Sequence, residues 1–174
     1  MKRVVSILLP LALMAGCANY TWTSSVPEDL RLVAVPTFAN DSGLVGAGSA
    51  VSREVLREIQ REGTFKVVPT DEAAIEVQGT VVSGELATES TGRMSYVRLR
   101  ENEMTLVARV SFVDRRNGRV LADNRDYSAL VTFVAGTDRT TPKNGAVERA
   151  AGDLARQIVD DLVDFKWKKG AENE

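Results

Sequence analysis

Met104-Thr105-Leu106-Val107-Ala108-Arg109-Val110-Ser111-Phe112-Val113-Asp114-Arg115-Arg116-Asn117-Gly118 is the stretch that decides the fold. Met104, Leu106, Ala108, Val110 and Phe112 are apolar at every second position, with Thr105, Arg109 and Ser111 between them. That is the period of a half-buried strand. Asn117-Gly118 fits a two-residue type I′ turn. Such a turn sets Ala108 opposite Tyr127, Leu106 opposite Ala129 and Met104 opposite Val131. All of these fall on one face, so turn chemistry and hydrophobic pattern predict the same hairpin.

Upstream of the hairpin, Leu30 to Val35 reads as a buried strand stopped by Pro36, and Phe65 to Val68 as another. Between them Val51, Val55, Leu56 and Ile59 recur at helical spacing, opposite Arg53, Glu54, Arg57, Glu58 and Arg61. Gly63 suits the end of that helix. This β-α-β start predicts parallel strands joined by a right-handed crossover. Ile75 to Leu86 is long and strand-like, with Val77 and Val81 on the face of Ile75. A second helix is expected from about Ala146, capped by Asn144. Val147, Ala150, Ala151, Leu154, Ile158, Leu162 and Phe165 form its apolar stripe, and Lys166, Lys168 and Lys169 suit its negative end. The order β-α-β-β-β-β-α, with one apolar face per helix, predicts an α+β two-layer sandwich, two helices packed on one face of a mixed sheet.

Composition narrows the chemistry. The 174 residues hold 22 Lys+Arg and 24 Asp+Glu, a formal net charge of −2, which gives no reason to expect a nucleic acid partner. With no histidine, Ser-His, Cys-His and His-metal sites are excluded. One cysteine excludes an intrachain disulfide, a thiolate zinc site and a redox CxxC pair. No catalytic group, metal site or cofactor is predicted.

The N-terminus sets the compartment. Met1-Lys2-Arg3 is basic, and Val4 to Met14 is apolar apart from Ser6 and Pro10. Roughly eleven residues cannot cross a hydrocarbon core about 30 Å thick, so residues 1–16 read as a signal peptide. The segment ends in Leu13-Met14-Ala15-Gly16-Cys17, which resembles the bacterial lipobox. That resemblance implies acylation of Cys17, and three acyl chains make an effectively permanent anchor. Aspartate at this next position would resemble an inner-membrane retention signal, and with Ala18 there instead the resemblance implies the outer membrane, on its periplasmic side. Residues 17–29 are expected to be a lipidated tether, 30–169 a single domain and 170–174 a disordered tail.

Three other patterns bear on chemistry. Gly43-Leu44-Val45-Gly46-Ala47-Gly48 lies between a strand and a helix. Its order matches neither the dinucleotide fingerprint nor a Walker loop, so a flexible loop is expected. Asp123 with Asp126, and Asp160-Asp161 with Asp164, match no calcium loop and read as solvated faces. Arg115, Arg116 and Arg119 surround the hairpin tip, where they form a local positive site suited to phosphate. The same residues also serve as solubilising charges that guard an edge. Arg93, Arg98 and Arg100 form the next cluster.

The whole ensemble resembles the LPS-assembly lipoprotein (LptE) family. The matching stretches are Cys17 with its lipobox, Val26-Pro27-Glu28-Asp29-Leu30-Arg31, and Val33-Ala34-Val35-Pro36-Thr37-Phe38-Ala39-Asn40. The helix from Ser52 to Glu62 with Gly63-Thr64-Phe65-Lys66-Val67-Val68 also matches, as do Glu76-Val77-Gln78-Gly79-Thr80-Val81 and the closing stretch from Ala150 to Val159. Asp41-Ser42 and the glycine-rich loop are less typical. The resemblance implies a non-enzymatic lipoprotein that plugs the outer-membrane barrel LptD, assists its assembly and binds lipopolysaccharide. Under it, Arg115, Arg116 and Arg119 are candidate contacts for lipopolysaccharide phosphates. The strand-Pro-x-Phe-x-Asn start is also similar to CsgG-like secretion and penicillin-binding-protein-activator lipoproteins, which serve other envelope machines.

Overall fold

The computed structural model describes residues 26–89, 100–135 and 140–167. The signal peptide, Cys17, Arg93, Arg98, Lys168, Lys169 and the tail over 170–174 lie outside them. In chain order the elements are β1 (Leu32–Ala34), β2 (Ala39–Asn40), α1 (Ala47–Glu62), β3 (Lys66–Val67), β4 (Ile75–Glu89), β5 (Arg100–Asp114), β6 (Arg119–Ala135) and α2 (Thr140–Val163). The sheet order is β3-β1-β4-β5-β6, with β2 pairing β4 alongside β1. Strands β1, β2 and β3 run parallel to their partners, whereas β4, β5 and β6 form an antiparallel meander. This is the expected α+β sandwich, with the two-residue strand β2 added.

Both helices cover one face. Val51, Val55 and Ile59 of α1, and Ala150, Leu154, Ile158 and Leu162 of α2, are fully buried. They meet Ile75, Val77, Val81, Met104, Leu106, Ala108 and Phe112 from the sheet in one core. Gly63 ends α1 with φ +84°, and its N–H donates to the Ile59 carbonyl at 3.1 Å. On the wet side of α1, Arg57 pairs with Glu54 and Arg61 with Glu58, one turn apart; such pairs contribute a few tenths of a kcal/mol each.

Several boundaries differ from the sequence reading, among them the end of α2 at Val163, which leaves Phe165 beyond the helix. The packed chain starts before Leu30, because Val26 is 1% exposed and Glu28–Leu30 form a single 3-10 turn. Helix α1 starts at Ala47, so two of the loop's residues, Ala47 and Gly48, are helical. Helix α2 starts at Thr140, which puts Asn144 inside it rather than at its cap. The hairpin loop is four residues, Arg115–Gly118, not two.

The loop correction leaves the core register intact, for a physical reason. Asp114 pairs with Arg119, two residues out of step with the pairing of Ala108 with Tyr127. Two irregularities in β6, flanking Ala122, each insert one residue and restore the expected register. Asn124 takes a left-handed φ of 48° at the second. Strand β6 is also the sheet's last strand. Two of its carbonyls accept hydrogen bonds from α2, Ser128 from Gln157 at 3.0 Å and Thr132 from Arg149 at 3.5 Å.

The glycine-rich loop is anchored at Leu44, while Val45 beside it is fully exposed. Leu44 is buried against Gly84. Its carbonyl accepts from the Asn40 amide at 2.8 Å, and its N–H donates to the Ser42 hydroxyl at 3.2 Å. Gly43 and Gly46 take φ of +72° and +78°, which explains glycine at both places without any ligand.

Candidate functional site

The hairpin tip is built on a buried carboxylate. Asp114 ends β5 on the helix-facing side and is 4% exposed. Its Oδ1 accepts from the Arg116 backbone N–H and from Arg116 Nε, both at 3.0 Å, while Oδ2 accepts from Arg116 Nη2 at 2.8 Å. The Arg116 hydrogen bonds hold the Asp114 carboxyl below the usual carboxylate range against the opposing effect of burial. Arg116 also pairs with Asp29, which ties the tip to the turn at Glu28–Leu30. The same two carboxylates raise Arg116 above its ordinary value, with Asp114 contributing most.

Arg115 turns elsewhere. It pairs with Glu76 on β4, a carboxylate 5% exposed that also accepts from Gln78 at 2.9 Å. Arg119 is exposed, and its backbone N–H donates to Asn117 Oδ1 at 2.9 Å. Its guanidinium has no carboxylate partner among the described residues. The structure therefore brings the three predicted arginines to one tip, and sets Glu76, Asp114 and Asp29 against two of them. These partners were missed from the sequence. Glu76 between Ile75 and Val77 was the one available signal, a charge inside an apolar run.

Of the other predicted acids, Asp123, Asp126 and Asp161 are likewise engaged, and Asp160 and Asp164 are exposed, as expected of a solvated face. On the sheet face away from the helices, Arg109 forms a two-pronged pair with Asp126, Nε to Oδ1 at 2.8 Å and Nη2 to Oδ2 at 3.0 Å. Asp123 accepts from Ser111 at 3.2 Å. Asp161 accepts from both Arg125 and Tyr127. Burial alone would raise the Asp161 carboxyl, but those two donors bring it below its ordinary value. No group of three or more His, Cys, Asp or Glu able to hold a metal occurs among the described residues.

These carboxylates set a pH dependence. Asp114, Asp126 and Asp161 all titrate lower in the folded chain than in the unfolded one. Their stabilisation is complete above the unfolded value of about 3.9 and is lost as pH falls through the folded values. With no histidine, nothing comparable titrates between about pH 5 and 8. Urea midpoints should be level over that window and fall below about pH 4. Asp161→Asn should be less stable at pH 7 and show a smaller fall in acid; an unchanged acid limb would remove Asp161 from the account.

Comparison with known proteins follows the same lines. No curated protein matches the chain. A crystal structure of a protein from Xanthomonas campestris aligns with TM-score 0.55 at 16% identity, covering 79% of this chain and 88% of that one. The solution structure of an uncharacterized lipoprotein B from Nitrosomonas europaea aligns with TM-score 0.53 at 16% identity, covering 84% and 90%. At such identities these structures share the fold alone. The family named LptE, described as lipopolysaccharide-assembly, matches residues 30–162. That span runs from the first turn through nearly all of α2, and the chain belongs to the LptE lipopolysaccharide-assembly family.

Proposed function

We propose that this chain is a lipid-anchored lipoprotein of the outer membrane that plugs an LptD-type β-barrel, assists its assembly, and binds lipopolysaccharide on its way to the outer leaflet. The family match over residues 30–162 carries the reading. The sheet face away from the helices supports it, a mixed surface with Thr105, Ser111 and the exposed Arg109–Asp126 pair beside exposed Val120 and Leu130. Such a surface is wet in isolation and still fits a water-filled barrel lumen. The protein acts by binding rather than catalysis. Its anchor is Cys17 on the periplasmic side, the first residue once residues 1–16 are removed.

Photo-crosslinkers placed at Thr105 and Ser111 test the partner in intact cells. A 1:1 adduct with an LptD barrel is expected. Adducts confined to a secretion channel or a peptidoglycan synthase would move the chain to another envelope machine. Cys17→Ala should abolish labelling by a tagged fatty acid and release the protein from membranes, and label retained on the variant would refute the anchor.

Lipopolysaccharide phosphates meet the tip at Arg119 in this reading. Arg115 and Arg116 give it a stiff support whose own charge is largely neutralised by Glu76, Asp114 and Asp29. Arg119→Glu should weaken binding of purified lipopolysaccharide about five-fold at low salt, and less at high salt, because an exposed tip is screened. Wild-type affinity in this variant would leave the tip as a solubilising edge and make Arg93, Arg98 and Arg100 the next residues to test.

A further inference from the structure

A cleft of about 350 Å³ opens between α1 and the connection from β1 to β2, far in sequence from the arginine tip. Val35 and Leu56 supply its apolar surface, Thr37 and Ser49 two hydroxyls, and Arg53 and Arg57 two cations. No acidic side chain lines it. The volume lies at the small end of the range for small-molecule sites, about 300–1,000 Å³.

The two guanidiniums are held from outside the cleft. Arg53 Nη2 donates to Glu148 of α2 at 2.6 Å, and Arg57 Nη1 donates to both oxygens of Glu54 at 2.7 Å. A guanidinium carries five N–H donors in a fixed plane. Nε and Nη1 of Arg53, and Nε and Nη2 of Arg57, have no protein acceptor among the described residues. Both side chains are accessible, 51% and 66% exposed. The carboxylates thus orient the forks and leave donors over for a second acceptor. Neither Ser52 nor Ser49 is such a donor: the Ser52 hydroxyl accepts from Phe38 N–H at 2.7 Å and donates to the Gly48 carbonyl at 2.8 Å, and the Ser49 hydroxyl donates to the Gly46 carbonyl at 2.9 Å.

We propose that this cleft binds a small anionic amphiphile, a phosphate or carboxylate head between Arg53 and Arg57 with a short apolar body against Val35 and Leu56. The unused N–H donors select an anion over a cation, with Glu148 and Glu54 offsetting part of the two positive charges. Guanidinium planes match a two-oxygen head. A bare phosphate leaves most of the volume and both aliphatic side chains unused, so the body contributes to affinity. The site shares no residue with the tip or with the outward sheet face and stands whether or not lipopolysaccharide binds there.

The test uses the full lipoprotein in phosphatidylcholine nanodiscs, with ¹⁵N labels on arginine side chains and backbone. Butyl phosphate should shift the Nε–Hε signals of Arg53 and Arg57 and the amides of Thr37 and Ser49 along one saturable curve. Inorganic phosphate should bind about ten-fold more weakly, and butanol should shift none of them. The double variant Arg53→Gln/Arg57→Gln, whose exposed side chains leave the core untouched, should lose the Thr37 and Ser49 shifts while lowering the melting temperature by no more than about 4 °C, the effect of two exposed ion pairs. Equal response to inorganic phosphate would overturn the apolar half of the site. Unchanged amide shifts in the double variant, or no saturable shift in wild type, would overturn the site altogether. Nanodiscs containing phosphatidylglycerol, with no added ligand, separate the sources. The same shifts there identify a membrane headgroup, and their absence identifies a soluble anion.

Discussion

Phe112→Ala is expected to destabilise the protein by about 3–5 kcal/mol, the usual cost of emptying a buried aromatic site. Its ring is 1% exposed at the centre of the sheet's inner face. It meets Phe165 edge to face, with centroids 6.3 Å apart and planes at 89°. Phe165 in turn packs on Trp167 at 5.0 Å, lies beneath the Arg125 guanidinium at 5.7 Å, and follows the last turn of α2. Trp167 reaches Phe65 at 6.0 Å and donates from its indole nitrogen to the Leu162 carbonyl at 3.1 Å. Removing Phe112 therefore opens a cavity and also takes away the wall on which this aromatic strap rests. Total stabilities are about 5–15 kcal/mol, so the loss is a large share. Urea unfolding followed by tryptophan fluorescence measures it, and Phe112→Leu, which keeps most of the volume, should cost less than about 1.5 kcal/mol. A cost below about 1 kcal/mol for the alanine variant would mean that the strap closes the gap by itself.

Gly48→Ala is expected to cost about 2–3 kcal/mol, although alanine is the better helix former by about 1 kcal/mol. A Cβ at Gly48 would lie 2.3 Å from the Phe38 carbonyl oxygen and 3.3 Å from that of Ala39. Both are backbone atoms and cannot rotate away. Phe38 cannot retreat easily either, because Ser52 holds its N–H and its ring lies over Gly79. Either α1 shifts or β2 leaves β4, and overpacking of this kind costs about 1–3 kcal/mol or more. In a domain of this size the net loss corresponds to a melting temperature lower by about 4–12 °C. Gly152→Ala in α2 is the control, since nothing lies within 4 Å of its added Cβ. That variant should be stabilised by about 0.5–1 kcal/mol. If both substitutions stabilise alike, the close approach at Phe38 is not rigid.

The hairpin shows what a sequence displays and what it hides. Alternation from Met104 to Phe112 is set by which side chains must leave water, and the pairing of Ala108 with Tyr127 came out as expected. The turn did not, because Asp114 captures the N–H of Arg116 and bends the chain before Asn117 is reached. Only Gly118 then takes a positive φ. The premise was wrong by two residues, and β6 absorbs the difference by bulging. The start of α2 is marked in the sequence by Pro142, which needs no partner N–H in a first turn, whereas Asn144 lies further along, inside the helix. At the site, the three arginines could be collected from their nearness in sequence. Their neutralisation could not, because Asp29 and Glu76 lie far off along the chain and only the folded sheet end brings them near. The carboxylates at the tip turn a cluster of charge into a set of fastened arms with Arg119 left over.

The hydrogen bonds from α2 to the carbonyls of Ser128 and Thr132 have a consequence for self-association. A sheet can grow without limit only if each added copy offers a fresh edge. Here the outer side of β6 is occupied by Gln157 and Arg149 and twisted at Asn124, so it offers a poor template. The opposite flank is different, because beyond Val81 strand β4 has no neighbour on the β2 side among the described residues. Two copies meeting through β4 would each present a sealed β6 on one flank and, on the other, the two-residue strand β3, too short to template a long strand. Runaway polymerisation, the hazard of any long meander crowded onto a surface, would end at a pair.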